Sequence, residues 1–130
     1  MTRLLCTCCS LVLALSSGCG RNEVEIAPVT GTVMMGGKAL PDALLRFCPE
    51  GGGRSSQGIT DKDGNYKLAY TNRADGARVG KCKVLITTGP LEDTSRRKET
   101  VPKKYNDESE LLVEVTSRAN VINFDLDAKK

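Results

Sequence analysis

The chain has 130 residues, with 19 Lys plus Arg against 16 Asp plus Glu and a net charge of +3, which allows one domain of ordinary size. It contains no His, so no Ser–His–Asp triad, Cys–His pair, His-ligated zinc or imidazole base can form within it, and no cofactor is expected. The charges of both signs are interspersed, which argues against nucleic acid as a partner, and 13 Gly with 4% aromatics favour short strands over a helical bundle.

Residues 1–18 read as a secretory signal: one charge at Arg3, an apolar run from Leu11 to Leu15, then the small residues Ser16, Ser17 and Gly18. The run is too short to span a bilayer, which takes about 20 apolar residues. Leu15-Ser16-Ser17-Gly18-Cys19 resembles a bacterial lipobox. Small side chains let a peptidase close on extended backbone, and a thiol is needed because sulfur carries the lipid. Ser16 stands where lipoboxes usually have Leu, which leaves an ordinary signal peptide as the alternative. Cys19 is the expected lipidation site, bearing diacylglycerol and a further acyl chain such as palmitate. Two or three acyl chains anchor stably where one is reversible.

Cys6, Cys8 and Cys9 lie within the segment that would be removed and lack a distant matching pair, so a zinc knuckle is disfavoured. Residues 19–27 are read as a lipidated tether; about eight extended residues reach roughly 25–30 Å from the membrane. Gly20 occupies the place where an Asp would mark inner-membrane retention. The expected location is therefore the bacterial cell envelope, lipid-anchored, with the outer membrane favoured.

From residue 28 to 130 the dominant period is two. Val29, Gly31 and Val33 alternate with polar neighbours, and Gly36-Gly37 signals a hairpin. Ala43, Leu45 and Phe47 share one face of the next strand. Asp61-Lys62-Asp63-Gly64 predicts a tight turn, with positive φ at Asp63-Gly64 and the Asp61 carboxylate bonded to turn amides. Tyr66, Leu68 and Tyr70 alternate beyond it, and residues 71–79 read as a polar loop. Gly80 to Ile86 is the most strand-like run. Leu111, Val113 and Val115 make another strand, and Ile122, Phe124 and Leu126 the last. Phe47, Phe124 and Tyr66 are the large plugs of an otherwise small aliphatic core. Gly31 and Gly80 are expected where two backbones or a large ring come close.

Some seven short strands separated by Gly, Pro, Asp and Asn predict an all-β, antiparallel sandwich. Residues 88–110 break the short-loop rule and carry eleven charges. The expectation is a solvated, mobile excursion, with a functional loop as the alternative.

Gly31-Thr-Val33, Gly36-Gly37, Pro41-Asp-Ala43 and Leu45-Arg-Phe47 resemble the opening of carboxypeptidase regulatory-like domains. Thr60-Asp61-Lys-Asp-Gly64-Asn-Tyr66-Lys-Leu68 is similar to their hairpin, and Gly80-Lys-Cys82-Lys-Val84-Leu-Ile86 to a later strand. The ending, from Val101-Pro-Lys-Lys-Tyr105 to Asn120-Val-Ile-Asn-Phe124-Asp-Leu126, is similar to small bacterial lipoproteins carrying one such domain. The resemblance covers residues 28–127. It implies a seven-stranded transthyretin-like (Ig-like) sandwich without enzymatic activity, an interaction appendage.

A calcium reading of the Asp61 turn fails the EF-hand count, since Tyr66 and Asn72 stand where Gly and Glu are needed. A Lys38–Asn120 isopeptide can be imagined, but no feature singles the pair out. Strand parity puts Cys82 inward and Cys48 outward, so Cys82 is expected as a buried small hydrophobe, Cys48 as an exposed thiol, and no bridge between them. Two functional classes remain. One is a non-catalytic binding or structural module of the envelope, with a protein or glycan partner. The other is an accessory or inhibitor-like partner of a secreted or periplasmic enzyme, contacting it through residues 88–110.

Overall fold

The alternating segments become strands whose apolar members face one way. The computed structural model describes residues 23–88 and 98–128. In chain order its elements are β1 (Ile26–Ala27), β2 (Val29–Met35), β3 (Lys38–Ala39), β4 (Leu44–Pro49), β5 (Ser56–Ile59), β6 (Asn65–Lys67), β7 (Ala69–Thr71), β8 (Ala74–Asp75), β9 (Ala77–Arg78) and β10 (Gly80–Thr87). A short 3-10 turn η1 (Lys103–Tyr105), β11 (Leu112–Val115), β12 (Asn120–Val121) and β13 (Phe124–Leu126) complete it. One sheet runs β11-β10-β4-β5-β7-β8, and the other is built on β2, which pairs with β3, β6, β12 and β13. The chain is a β-sandwich.

Leu45 and Phe47 of β4 and Cys82, Val84 and Ile86 of β10 face Val29, Val33, Tyr66, Leu68, Phe124 and Leu126 across the core, all buried. The three expected plugs meet in one cluster, with ring centroids 6.1–6.4 Å apart. Fully burying side chains of this size contributes about 1.5–3 kcal/mol each before entropy is subtracted. The Tyr66 hydroxyl stays satisfied by donating to the Ile122 carbonyl at 2.6 Å.

Several sequence expectations change. The pairs are antiparallel except that β12 and β13 run parallel to β2. The chain crosses between the sheets at residues 116–119 and enters beside the start of β2, so the last strand must run in the same direction. Ile26 and Ala27, assigned to the tether, are strand β1, paired with β9, and Ala27 is buried. The supposed polar loop 71–79 contains β8 and β9, because the small side chain of Ala77 fits the core. In the Asp61 turn Gly64 takes φ 79° but Asp63 does not take a positive φ. The Asp61 carboxylate does accept from the amides of Asp63 and Asn65, at 2.9 and 3.0 Å.

The two singled-out glycines differ. A Cβ on Gly31 would lie 1.8 Å from the Ile122 carbonyl oxygen and 2.9 Å from the Tyr66 ring. Gly80 has nothing within 4 Å of such an atom; its φ of 124° is what requires glycine there.

The sandwich has two distinct poles. The chain enters at Glu23–Glu25, where the Val79 amide donates to the Glu25 carbonyl at 2.9 Å, and residues 49–53 and 116–119 lie at that end. The opposite pole holds residues 36–37, 40–42 and 61–64, together with Thr88, residues 98–101 and Ala128.

Candidate functional site

β10 is eight residues long, but β11 pairs only with Gly80 to Lys83. The upper half of β10 needs other partners, because buried backbone groups are costly when unpaired. Residues 98–111 supply them. The Leu111 carbonyl accepts from the Val84 amide at 2.9 Å, Ser109 Oγ donates to the Val84 carbonyl, and Asn106 Nδ2 donates to the Ile86 carbonyl at 3.4 Å. Val101, Tyr105, Asn106 and Ser109 are buried. The described part of this segment is therefore a docked wall, which corrects the expectation of a solvated, mobile excursion for residues 98–110. Residues 89–97 lie outside the described residues.

Glu99 fastens the return of the chain. Its carboxylate accepts from Thr87 Oγ1, from the Thr88 amide and hydroxyl at 2.9 Å each, and from the Val101 amide at 2.9 Å. The Thr100 amide donates to Thr88 Oγ1 at 2.9 Å, which draws the two strands of the neck together. Farther along, Tyr105 ties down the C-terminal segment: its hydroxyl accepts from the Asp127 amide at 3.0 Å. Lys104 pairs with the Asp127 carboxylate at 2.6 Å on the open surface, and that hydrogen bond raises the lysine pKa.

Between this wall and the outward face of the sheet lies a cleft of about 380 Å³. Leu44 and Leu85 form its floor, Thr87, Glu99 and Asn106 one side, and Arg46 and Asp107 reach in from the edges. Among the described residues, neither Arg46 nor Asp107 has a side-chain hydrogen bond or an ion pair. An apolar floor with one cation and one carboxylate at its rim suits recognition of a ligand with both apolar and charged parts.

Sequence reasoning did not find this cleft. A signal was available: Leu44 and Leu85 are apolar at outward positions of period-two strands, where polar residues are the rule. The lipidation site Cys19 and the signal segment 1–18 lie outside the described residues. Lys38 and Asn120 are at opposite poles, opposite Met35 and Val29 respectively, so the isopeptide idea is excluded by distance along β2.

Cys48 stands directly across from Lys83, and Cys82 across from Pro49, on opposite faces of the sheet, and both thiols are free. Cys82 is 1% exposed, and burial, then the neighbouring Cys48, push its thiol pKa up. Cys48 is half-buried rather than fully exposed, and Lys83 of β10 stands across from it.

A comparison with family models finds no match, and a comparison with curated proteins finds none. Among solved structures the chain is similar to a DUF3823 family protein from Parabacteroides merdae, at 14% identity and a TM-score of 0.46. The match covers 82% of this chain and 48% of that one, so the chain spans about half the length of that protein.

Proposed function

We propose that the protein is a non-catalytic, lipid-anchored binding module of the bacterial envelope that holds its cleft away from the membrane. One observation carries this: the chain enters the sandwich at the pole of Glu23–Glu25, while the wall 98–110 and the cleft belong to the upper half of β10. An anchor at Cys19 is then proximal, and the cleft distal. The resemblance to carboxypeptidase regulatory-like domains agrees with an interaction role. Intact mass of the membrane-extracted protein tests it. The expected chain starts at Cys19 and carries acyl mass; a free N-terminus elsewhere, or an unprocessed Met1, overturns the anchored reading.

A second reading, an accessory or inhibitor-like partner of a secreted enzyme that it contacts through residues 88–110, is favoured by the docked wall of residues 98–110, since a segment already ordered loses less entropy on binding. Pull-down from detergent-solubilised membranes separates the two. One stoichiometric enzyme partner supports the second reading alone.

A further inference from the structure

The outward face of the large sheet continues from the cleft down β10. On this face Leu44 stands between Ile59 and Thr87, Arg46 between Gln57 and Leu85, and Lys83 between Cys48 and Leu112. One step further along β10, Lys81 stands opposite Glu114. The sequence of side chains below the cleft is thus apolar, then basic, then basic again. Arg46, Lys81 and Lys83 are exposed, and among the described residues none of them forms an ion pair. Ile59 at 53% and Leu112 at 59% exposure leave apolar surface on either side of that basic line.

From these positions we infer that this face docks an extended acidic polypeptide segment of a partner protein, with an apolar side chain in the cleft and carboxylates over Arg46, Lys83 and Lys81. The inference rests on the binding-module reading and names its partner chemistry. Charge complementarity selects the sign: three cations, of which only Lys81 has a carboxylate opposite it, attract carboxylates, and opposed potentials fix the register of a docked chain. Spacing selects an extended chain. Alternate residues of a strand are about 6.6–6.8 Å apart, so a partner laid along β10 presents its own alternate side chains in step with Leu85, Lys83 and Lys81. The two carboxylates at the ends of the path, Asp107 beside the cleft and Glu114 opposite Lys81, repel a continuous polyanion such as a phosphate-rich bilayer surface. A short acidic stretch headed by an apolar residue sets that residue beside Asp107 and meets only Glu114, at its far end.

Cys48 provides a native reporter, since it lies on this face next to Lys83. The test uses the full chain with Cys6, Cys8, Cys9 and Cys19 each replaced by Ser and two blocked peptides, Gly-Leu-Ser-Glu-Ser-Glu-Gly and its counterpart with Gln in place of Glu. The acidic peptide is expected to bind, to slow alkylation of Cys48, and to weaken as salt is raised. Lys83→Glu, outside the cleft, is expected to weaken it about tenfold while thermal unfolding stays unchanged. The inference is overturned if the acidic peptide does not bind or if Lys83→Glu binds it equally well. It is equally overturned if phosphatidylglycerol vesicles, and not the peptide, show the Lys83 dependence. If both peptides bind alike and Leu85→Ser weakens both, the acidic partner is wrong while the binding cleft stands.

Discussion

Glu99 accepts from both the amide and the hydroxyl of Thr88, each at 2.9 Å, across eleven positions of sequence. This contact ties the start of the wall to the end of β10, and the bonds from Asn106, Ser109 and Leu111 to β10 hold the rest of it. The carboxylate is placed for the task because Thr87 at the end of β10 and Thr88 just past it present hydroxyls, and because the Val101 amide turns back onto it. Hydrogen bonds to a charged acceptor contribute about 1.5–3 kcal/mol net.

Glu99→Ala is therefore expected to lower stability by about 2–3 kcal/mol in urea unfolding, with Glu99→Gln intermediate. A midpoint unchanged in Glu99→Ala would show that the neck is held by something else.

Gly31→Ala is expected to cost about 3 kcal/mol or more, because its Cβ would overlap the Ile122 carbonyl that Tyr66 also holds. Gly51→Ala, with nothing within 4 Å, is expected to stay within about 0.5 kcal/mol of the parent. Equal stabilities for the two variants would contradict the close approach of β2 to Ile122, between β12 and β13.

Alkaline pH is expected to destabilise the fold. Burial raises the Tyr66 hydroxyl from 10.0 and the Cys82 thiol from 9.0, so the native state keeps both protons after the unfolded chain has released them. Their contribution is complete below about pH 8.5 and is lost as pH rises past 9 and then 10. Unfolding free energies measured between pH 8 and 11 should fall, and Tyr66→Phe should flatten the upper part of that fall. A rise with pH would reverse the sign.

The two thiols should separate by face. Without reductant, the native Cys19→Ser protein should label at Cys48 and, only after unfolding, at Cys82. If neither labels in denaturant until a reductant is added, the two are bridged and the faces are misassigned.

Much of the sandwich is legible in the sequence because a half-buried strand writes its inward face at every second residue. Leu45 with Phe47, and Cys82 with Val84 and Ile86, are buried as their parity requires. Ala27 and Ala77 were not legible as core, since a methyl group adds little to any apolar pattern. The wall 98–110 was hidden for another reason: Val101, Tyr105 and Ser109 recur at every fourth residue, not every second, and only two of the three are apolar, so no strand pattern marks them. The parallel pairing of β13 with β2 joins Phe124 to Val33, far apart in sequence, which no local pattern encodes. The cleft depends on that kind of long-range meeting, between β4, β10 and the wall.

Opposite poles for anchor and cleft are tested most directly by energy transfer from single labels on the lipidated protein in nanodiscs with acceptor headgroups. Labels are placed, in a Cys48→Ser background, at Arg118→Cys in the turn before β12 and at Lys62→Cys in the Asp61 turn. Transfer to the bilayer should be strong from position 118 and weak from position 62. Equal or reversed transfer, or a protein that does not stay with the bilayer, would contradict an anchored module that holds its cleft outward.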